Sequence, residues 1–165
     1  MAPLQGAPAL RAVRNILQRL QIPQEGIYAL PVTAFGEVGI GRRLSSDKKL
    51  AASVLMQPND TRQPTIGQYA WDLTIIVEMF YRVAQDVETS EIMLADAYPA
   101  AVDAFYGNRR LVDPETLLPT VGSSVVTGPS SNPWYEALAS AEYRMQVLFL
   151  NCWMRSTYNP NQPTP

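Results

Sequence analysis

The sequence predicts an α+β fold, with an antiparallel sheet that contains a long hairpin and with two main helices packed on one face. Two segments have helical periodicity, whereas the others alternate between apolar and polar residues or are short apolar runs typical of strands. Short loops rich in proline and glycine separate most of the strands, and parallel neighbours would need long crossovers instead. Two helices are also too few for a doubly wound parallel sheet, so an antiparallel sheet is favoured.

The first predicted element is an amphipathic helix over residues 9–21. Pro8 suits its first turn, and Pro23 follows its end. Six prolines and glycines between residues 22 and 48 leave room only for short strands near residues 27–30 and 33–38. The apolar side of the helix recurs at intervals of three and four, at Leu10, Val13, Leu17 and Leu20.

Residues 50–56 and 68–83 predict the two strands of the hairpin. The first is an apolar run, followed by a polar loop over residues 57–64 that contains two prolines. The second alternates strictly, with Leu73 and Ile75 on one face and Thr74 and Ile76 on the other, as in a half-buried antiparallel strand. Its length predicts that the loop end of the hairpin projects beyond a small core.

A second helix is predicted over residues 90–106, with Thr89 or Ser90 as its cap and Gly107-Asn108 as a left-handed stop. A short strand is predicted over residues 117–126, and a central strand over residues 142–155 because its residues alternate. The predicted apolar stripe of the helix consists of Ile92, Ala95, Tyr98, Val102 and Phe105.

The chain length fits one domain over residues 1–156, followed by an extended C-terminal arm over residues 157–165. A chain of 165 residues can bury about 70% of its unfolded surface in a single core. The arm has three prolines and no periodicity, which predicts an extended segment.

The composition argues against an enzyme, a metal site and a cofactor. Without histidine the chain has no Ser-His-Asp or Cys-His nucleophile, and its single cysteine rules out an internal disulfide and a zinc site made of cysteines. Asp72 and Glu78 share a strand face but lie about 20 Å apart. Asp96 and Asp103 are predicted to form the wet side of the second helix. We expect Cys152 to be a buried, unreactive thiol.

The charge balance argues against a nucleic-acid-binding protein. The chain has 13 Lys and Arg against 15 Asp and Glu, whereas DNA affinity needs clustered basic residues. It has neither an apolar run long enough to span a membrane nor a signal peptide, so we expect a protein of the reducing cytoplasm. Charged residues make up 17% of the chain, below the roughly 25% typical of soluble domains, which suggests that other chains cover part of its surface.

The order of these elements resembles that of the tail-terminator proteins of long-tailed bacteriophages. The resemblance lies in a helix over residues 10–20, a hairpin over 50–83, a helix over 90–106 and a closing strand over 142–153. The hairpin strand reads Tyr69-Ala70-Trp71-Asp72-Leu73-Thr74-Ile75-Ile76-Val77-Glu78.

This resemblance implies a structural virion protein, assembled in the host cytoplasm, that forms a hexameric ring. Such a ring caps the tail tube and joins it to the head-completion or connector protein at the neck, and DNA passes through its lumen without specific binding. The alternatives are another head-tail connector or tail-tube component, and a cytoplasmic enzyme or small-ligand-binding domain.

Contacts with partners are expected in residues 57–67, in the basic loop 42–49 and in the arm. For the basic loop, a solvated surface and a phosphate site are the alternatives to an interface with acidic residues of a neighbouring subunit. The candidate contact residues are Arg42, Arg43, Lys48, Lys49, Asn59, Asp60, Arg62 and Tyr158.

Overall fold

The computed structural model describes residues 6–23, 30–42, 50–65, 68–83, 87–127, 134–138 and 141–157. These residues form two helices and eight strands. The helices are α1 (Gly6–Arg19) and α2 (Val87–Gly107). The strands are β1 (Gln21–Ile22), β2 (Val32–Thr33), β3 (Glu37–Ile40), β4 (Leu50–Thr65), β5 (Gln68–Val83), β6 (Ser123–Thr127), β7 (Trp134–Leu138) and β8 (Ala141–Thr157).

The main sheet has the order β3-β4-β5-β8-β6, and β7 also pairs with β8. All of its pairs are antiparallel except β3 with β4. Strand β8 pairs with β5 from Gln68–Thr157 to Val83–Glu142. Its other edge takes β7 near the start of the strand and β6 near the end. The predicted α+β fold with a long hairpin is confirmed, and β8 is the interior strand that the alternation predicted.

Both helices pack on the same face of the sheet. Ala12, Val13 and Leu17 of α1 and Leu94 and Phe105 of α2 join one buried apolar cluster. The strand residues in that cluster alternate, so each strand sends every second side chain toward the helices. On β5 and β8 these residues are Leu73, Ile75, Val77, Met79, Tyr81, Leu148, Leu150 and Cys152.

An ion pair attaches α2 to β8. Arg144 lies on the helix side of β8, only 7% of its side chain is exposed, and it donates two hydrogen bonds to the Glu91 carboxylate. A third donor, Nη1, is bonded to the Met145 carbonyl oxygen at 2.7 Å. A charged group this deeply buried is tolerated because its donors are satisfied.

Several predicted boundaries are wrong. The polar segment 57–64 is not a loop, because β4 continues through it to Thr65, with register shifts between Pro58 and Thr61 and between Arg62 and Thr65. The strand predicted from residue 117 begins only at Ser123. The strand predicted near residues 33–38 is two strands, β2 and β3, while residues 27–29 lie outside the described residues.

The start, the end and the stripe of α2 also differ from the prediction. The helix begins at Val87, so Ser90 lies inside it, and the Ser90 hydroxyl donates to the Val87 carbonyl oxygen at 2.6 Å. Neither Gly107 nor Asn108 has a positive φ; instead, the Asn108 side-chain amide donates to the Ala104 carbonyl oxygen at 2.7 Å. The buried residues are Ser90, Leu94, Ala97, Ala101 and Phe105.

The buried side of α2 differs from the predicted apolar stripe because the helix is apolar on more than one side. Ile92 and Ala95 are exposed, and they share their side of the helix with Asp96 and Asp103, which are exposed as predicted. Carboxylates define the wet side of such a helix better than its apolar residues do.

Candidate interaction surfaces

The face of the main sheet opposite the helices carries side chains from four neighbouring strands. Neither α1 nor α2, the helices of the described part of the chain, packs on it. We call this surface the open face. It comprises Leu55 and Gln57 of β4, Asp72, Thr74, Ile76 and Glu78 of β5, Val147, Phe149, Asn151 and Trp153 of β8, and Val125 and Thr127 of β6. Of these side chains, Thr74 and Val147 are buried and the others are at least partly exposed.

An apolar row crosses the open face. Leu55 is paired with Ile76, and Ile76 with Phe149, so the three side chains lie side by side on adjacent strands. All three are only partly buried, and Val125 and Trp153 nearby are exposed. A contiguous set of apolar side chains that are only partly buried is typical of a surface that contacts another chain.

A polar row runs beside the apolar one. Thr74 is paired with Asn151, and its hydroxyl donates to Asn151 Oδ1 at 3.1 Å. Asn151 Nδ2 in turn donates to Thr127 Oγ1 at 3.3 Å. These bonds satisfy the polar groups within the chain and fix their positions, so the row can accompany an apolar contact at low desolvation cost.

At the end of the sheet where β5 finishes, the side chains on the same face are buried. Ala51, Phe80, Tyr143 and Met145 form a second buried cluster, in which the rings of Phe80 and Tyr143 meet edge to face with centroids 5.9 Å apart. The accessible apolar part of the face is therefore confined to the other end, around Ile76 and Phe149.

A second surface of interest lies in the connection between α2 and β6. Val112, Leu117 and Leu118 are 45%, 75% and 61% exposed there. We call these three residues the apolar knob. Next to it, the exposed Arg109 guanidinium lies over the Tyr106 ring, 5.4 Å from its centroid.

The loop that carries the knob is held by the buried carboxylate of Asp113. The side chain of Asp113 is 1% exposed and accepts hydrogen bonds from Nε and Nη2 of Arg11 in α1, at 3.4 and 3.1 Å. It also accepts the Glu115 backbone N–H at 3.3 Å and the Thr116 hydroxyl at 3.2 Å. The bond from Arg11, more than any other contact, holds the pKa of the Asp113 carboxyl below its ordinary value.

Backbone bonds close the loop at its base. The N–H of Asp113 donates to the Leu118 carbonyl oxygen at 2.9 Å, and that of Leu117 donates to the Asp113 carbonyl oxygen at 2.8 Å. Leu117 has φ +58° and therefore lies in the left-handed region, which a leucine side chain disfavours.

The predicted contact residues are divided between these surfaces and the rest of the chain. Arg42 is exposed, and its Nε lies 3.4 Å from Glu78 Oε2 on the open face. The remaining basic-loop residues, Arg43, Lys48 and Lys49, and the arm residue Tyr158 lie outside the described residues. Asn59, Asp60 and Arg62 are part of β4, for which the structure describes the backbone at these positions.

Metal-binding side chains do not cluster in the described part of the chain. No group there of three or more His, Cys, Asp or Glu side chains could hold a metal ion. Burial raises the pKa of the Cys152 thiol to about 12, so the thiol stays protonated at neutral pH, which agrees with the predicted unreactive cysteine. Within the described part of the chain, neither helix is long and apolar enough to cross a membrane.

The sequence does not predict the apolar knob, because its pattern favours a strand over residues 117–126. A usable signal was present in Asp113-Pro114, since aspartate followed by proline is typical of a turn. That signal places a loop before residue 117, but no local pattern shows that the two leucines point outward.

No family model matches the chain, and no curated protein matches its sequence.

Proposed function

We propose that the chain is a structural, non-catalytic virion subunit that forms a ring at the end of a phage tail tube. The observation that carries this proposal is the row formed by Leu55, Ile76 and Phe149 on the open face. A chain whose main sheet leaves such a row partly exposed is suited to assembly, because burial by a neighbour removes this apolar area from water.

The element order supports the same function. A helix, a long hairpin, a second helix and a closing interior strand follow one another, and this is the layout that resembles tail-terminator proteins. The low fraction of charged residues fits a subunit that is surrounded by other chains.

We further propose that the ring is a hexamer that joins the tail tube to the head-completion or connector protein in the neck of the virion. Its lumen lets DNA pass without specific binding. The net charge of −2 supports this role, since a conduit with clustered positive charge would retain DNA through its phosphates.

The test is native mass spectrometry of the full chain, alone and with tail tubes, combined with electron microscopy of tubes assembled without it. We expect a closed oligomer, either free or on the tube end, and tubes of uncontrolled length when the protein is absent. Val125→Asp on the open face should lower the oligomer population at least tenfold, because it places a charge in the contact.

The matched control is Ile92→Asp, which introduces the same charge at an exposed apolar position on the wet side of α2. This variant should assemble as the wild type does. A wild-type chain that stays monomeric and binds neither tube nor connector would disprove the proposal. Tubes of normal length in its absence would place the protein elsewhere in the head-tail junction.

A further inference from the structure

Residues 158–165, which follow β8, contain two prolines three residues apart. These residues lie outside the described part of the chain and read Tyr158-Asn159-Pro160-Asn161-Gln162-Pro163-Thr164-Pro165. Proline-rich segments favour the polyproline II helix, which has three residues per turn and rises about 3.1 Å per residue. In such a helix Pro160 and Pro163 share one side, about 9.3 Å apart. Segments with this Pro-x-x-Pro spacing dock on surfaces lined by aromatic side chains.

The apolar row of the open face matches this segment in chemistry and in spacing. Leu55 and Phe149 lie on either side of Ile76, so their Cα atoms are two strand spacings apart, or about 9.6 Å. A polyproline II helix that crosses the strands can therefore place one proline near each end of the row. The Phe149 ring supplies the aromatic surface, and the contact removes all three apolar side chains from water.

The size of the face favours a peptide segment over a folded partner. Its accessible part spans three gaps between strands and about four residues along them, or about 200 Å² in projection. A stable interface between two folded proteins buries about 800 Å² on each partner, which this patch cannot supply. A short extended segment needs only the few side chains that the row provides.

The charges around the row favour an uncharged occupant. Asp72 and Glu78 lie on the open face, and Arg42 is paired with Glu78. The strand register also assigns Arg62 and Arg155 to this face, so both signs of charge border the row. Residues 158–165 contain no charged side chain, so their docking takes no new charge out of water and needs no opposite charge on the face.

The segment that fills the row has to come from a neighbouring copy, because Pro163 of the same copy cannot reach it. Thr157, the last described residue of β8, lies eight residues beyond Phe149, or about 26 Å along the strand. Pro163 follows Thr157 by six residues, which span about 19 Å in polyproline II and at most about 22 Å when fully extended. Strand β8 also runs away from the row, so the same chain would first have to reverse its direction.

We propose that the segment 160–163 of one copy docks across Leu55, Ile76 and Phe149 of the next copy. Each copy then gives one segment and receives another, and repetition of this head-to-tail contact forms a ring if the rotation closes. The contact rests on the proposed ring and names the segment and the surface that join its subunits.

The test uses single-cysteine additions in the full chain and a short bis-maleimide cross-linker. One sample carries Gln162→Cys, which keeps both prolines, and a second carries Thr127→Cys, at an exposed position paired with Phe149. A third is an equimolar mixture of the two after disassembly and reassembly. Native Cys152 contributes little background because its thiol is buried and has a pKa of about 12. In the control mixture, Ile92→Cys on the exposed side of α2 replaces Thr127→Cys.

Docking predicts cross-linked dimers in the mixture, at a yield at least about tenfold above that of each single variant and of the control mixture. Adding Pro160→Gly and Pro163→Gly to the Gln162→Cys chain should abolish this excess. Adding Pro165→Gly instead should leave it unchanged, since Pro165 does not share the side of the other two prolines. Equal yields with the Thr127→Cys and Ile92→Cys chains, or a yield that does not depend on the prolines, would overturn the inference.

A chain with both Gln162→Cys and Thr127→Cys, reassembled with excess wild type, tests the origin of the segment. A cross-link within this single chain would show that the segment docks on its own copy and would overturn the inference. Native mass spectrometry separates the contact from the ring: intact rings without cross-links in the mixture would refute the contact and leave the ring standing. Absence of any oligomer, with or without tubes, would refute both.

Discussion

At the scale of single residues, Asp113 links the start of the chain to the loop that carries the knob. Its carboxylate accepts bonds from α1 and from two residues of its own loop, so replacement leaves several donors without a partner. We expect Asp113→Asn to lower the urea midpoint of unfolding at pH 7, measured by tryptophan fluorescence, whereas Asp103→Asn on the exposed side of α2 should leave it unchanged.

The pH dependence of this effect has a definite sign. The folded-state pKa of Asp113 lies below its ordinary value of 3.8, so the carboxylate stabilises the fold above about pH 4, and that stabilisation is lost as pH falls through the folded-state pKa. The difference in unfolding free energy between wild type and Asp113→Asn should therefore shrink as pH is lowered from 5 toward 2. A difference that stays constant over this range would contradict the role given to the carboxylate.

Leu117 adopts a backbone conformation that costs stability. Glycine has no Cβ and tolerates φ +58°, so Leu117→Gly should raise the unfolding free energy by about 0.5–1 kcal/mol. Leu117→Ala is the control: it shortens the side chain but keeps the Cβ, so it should not show this gain in stability. Urea unfolding measures both variants, and equal unfolding free energies would contradict a cost of the left-handed conformation at this position.

At the scale of the elements, two glycines near the knob loop differ in what surrounds them. A Cβ on Gly122 would lie 2.9 Å from Trp153 Cε3 and 3.1 Å from the Trp153 carbonyl oxygen, which also accepts the Gly122 N–H at 2.8 Å. Gly122 thus lets the chain approach β8 closely just before β6 begins. A Cβ on Gly107, at the end of α2, would meet nothing within 4 Å.

We therefore expect opposite signs for two identical substitutions. Gly122→Ala should lower the unfolding free energy by about 1–3 kcal/mol, because the backbone of β8 has to shift. Gly107→Ala should leave it unchanged or raise it by up to about 1 kcal/mol, through reduced freedom of the unfolded chain. Urea unfolding of both variants checks this, and equal effects of the two would show that β6 does not depend on the close approach.

Strand β5 could be predicted to the residue because the alternation of its residues runs through the whole segment 68–83. The continuation of β4 to Thr65 could not be predicted from the sequence, since Pro58 and Pro64 are typical of a loop. Proline is tolerated here because β3 pairs only with residues 51–54, so that past Val54 the outer edge of β4 is unpaired within the described residues. Such an edge needs no ladder hydrogen bond from these positions, and the register shifts accommodate the rings.

At the scale of the whole molecule, the sequence predicts which residues of β5 lie on the open face but not which residues of other strands lie beside them. Alternation in β5 assigns Thr74 and Ile76 to the face away from Leu73 and Ile75, but only the register of three strands shows that Leu55, Ile76 and Phe149 form one row. The knob depends on contacts across the fold, because its loop is held by Arg11, which lies 102 residues away in the chain from Asp113. Contacts between residues so far apart in the sequence leave no local pattern, so the position of the knob could not be predicted from the sequence.

The charge of the whole chain leads to a last prediction, on DNA. Nonspecific binding arises from neutralised phosphates, and DNA-binding proteins reach dissociation constants of about 10⁻⁴–10⁻⁶ M at physiological salt. With a net charge of −2 per subunit, each added copy makes an assembly more negative. Fluorescence anisotropy of a labelled duplex should therefore show no saturation below about 10⁻⁴ M subunit at physiological salt, for monomer and oligomer alike. Micromolar binding that weakens steeply with added salt would instead show a concentrated basic lining in the ring, and the passive conduit would have to be abandoned.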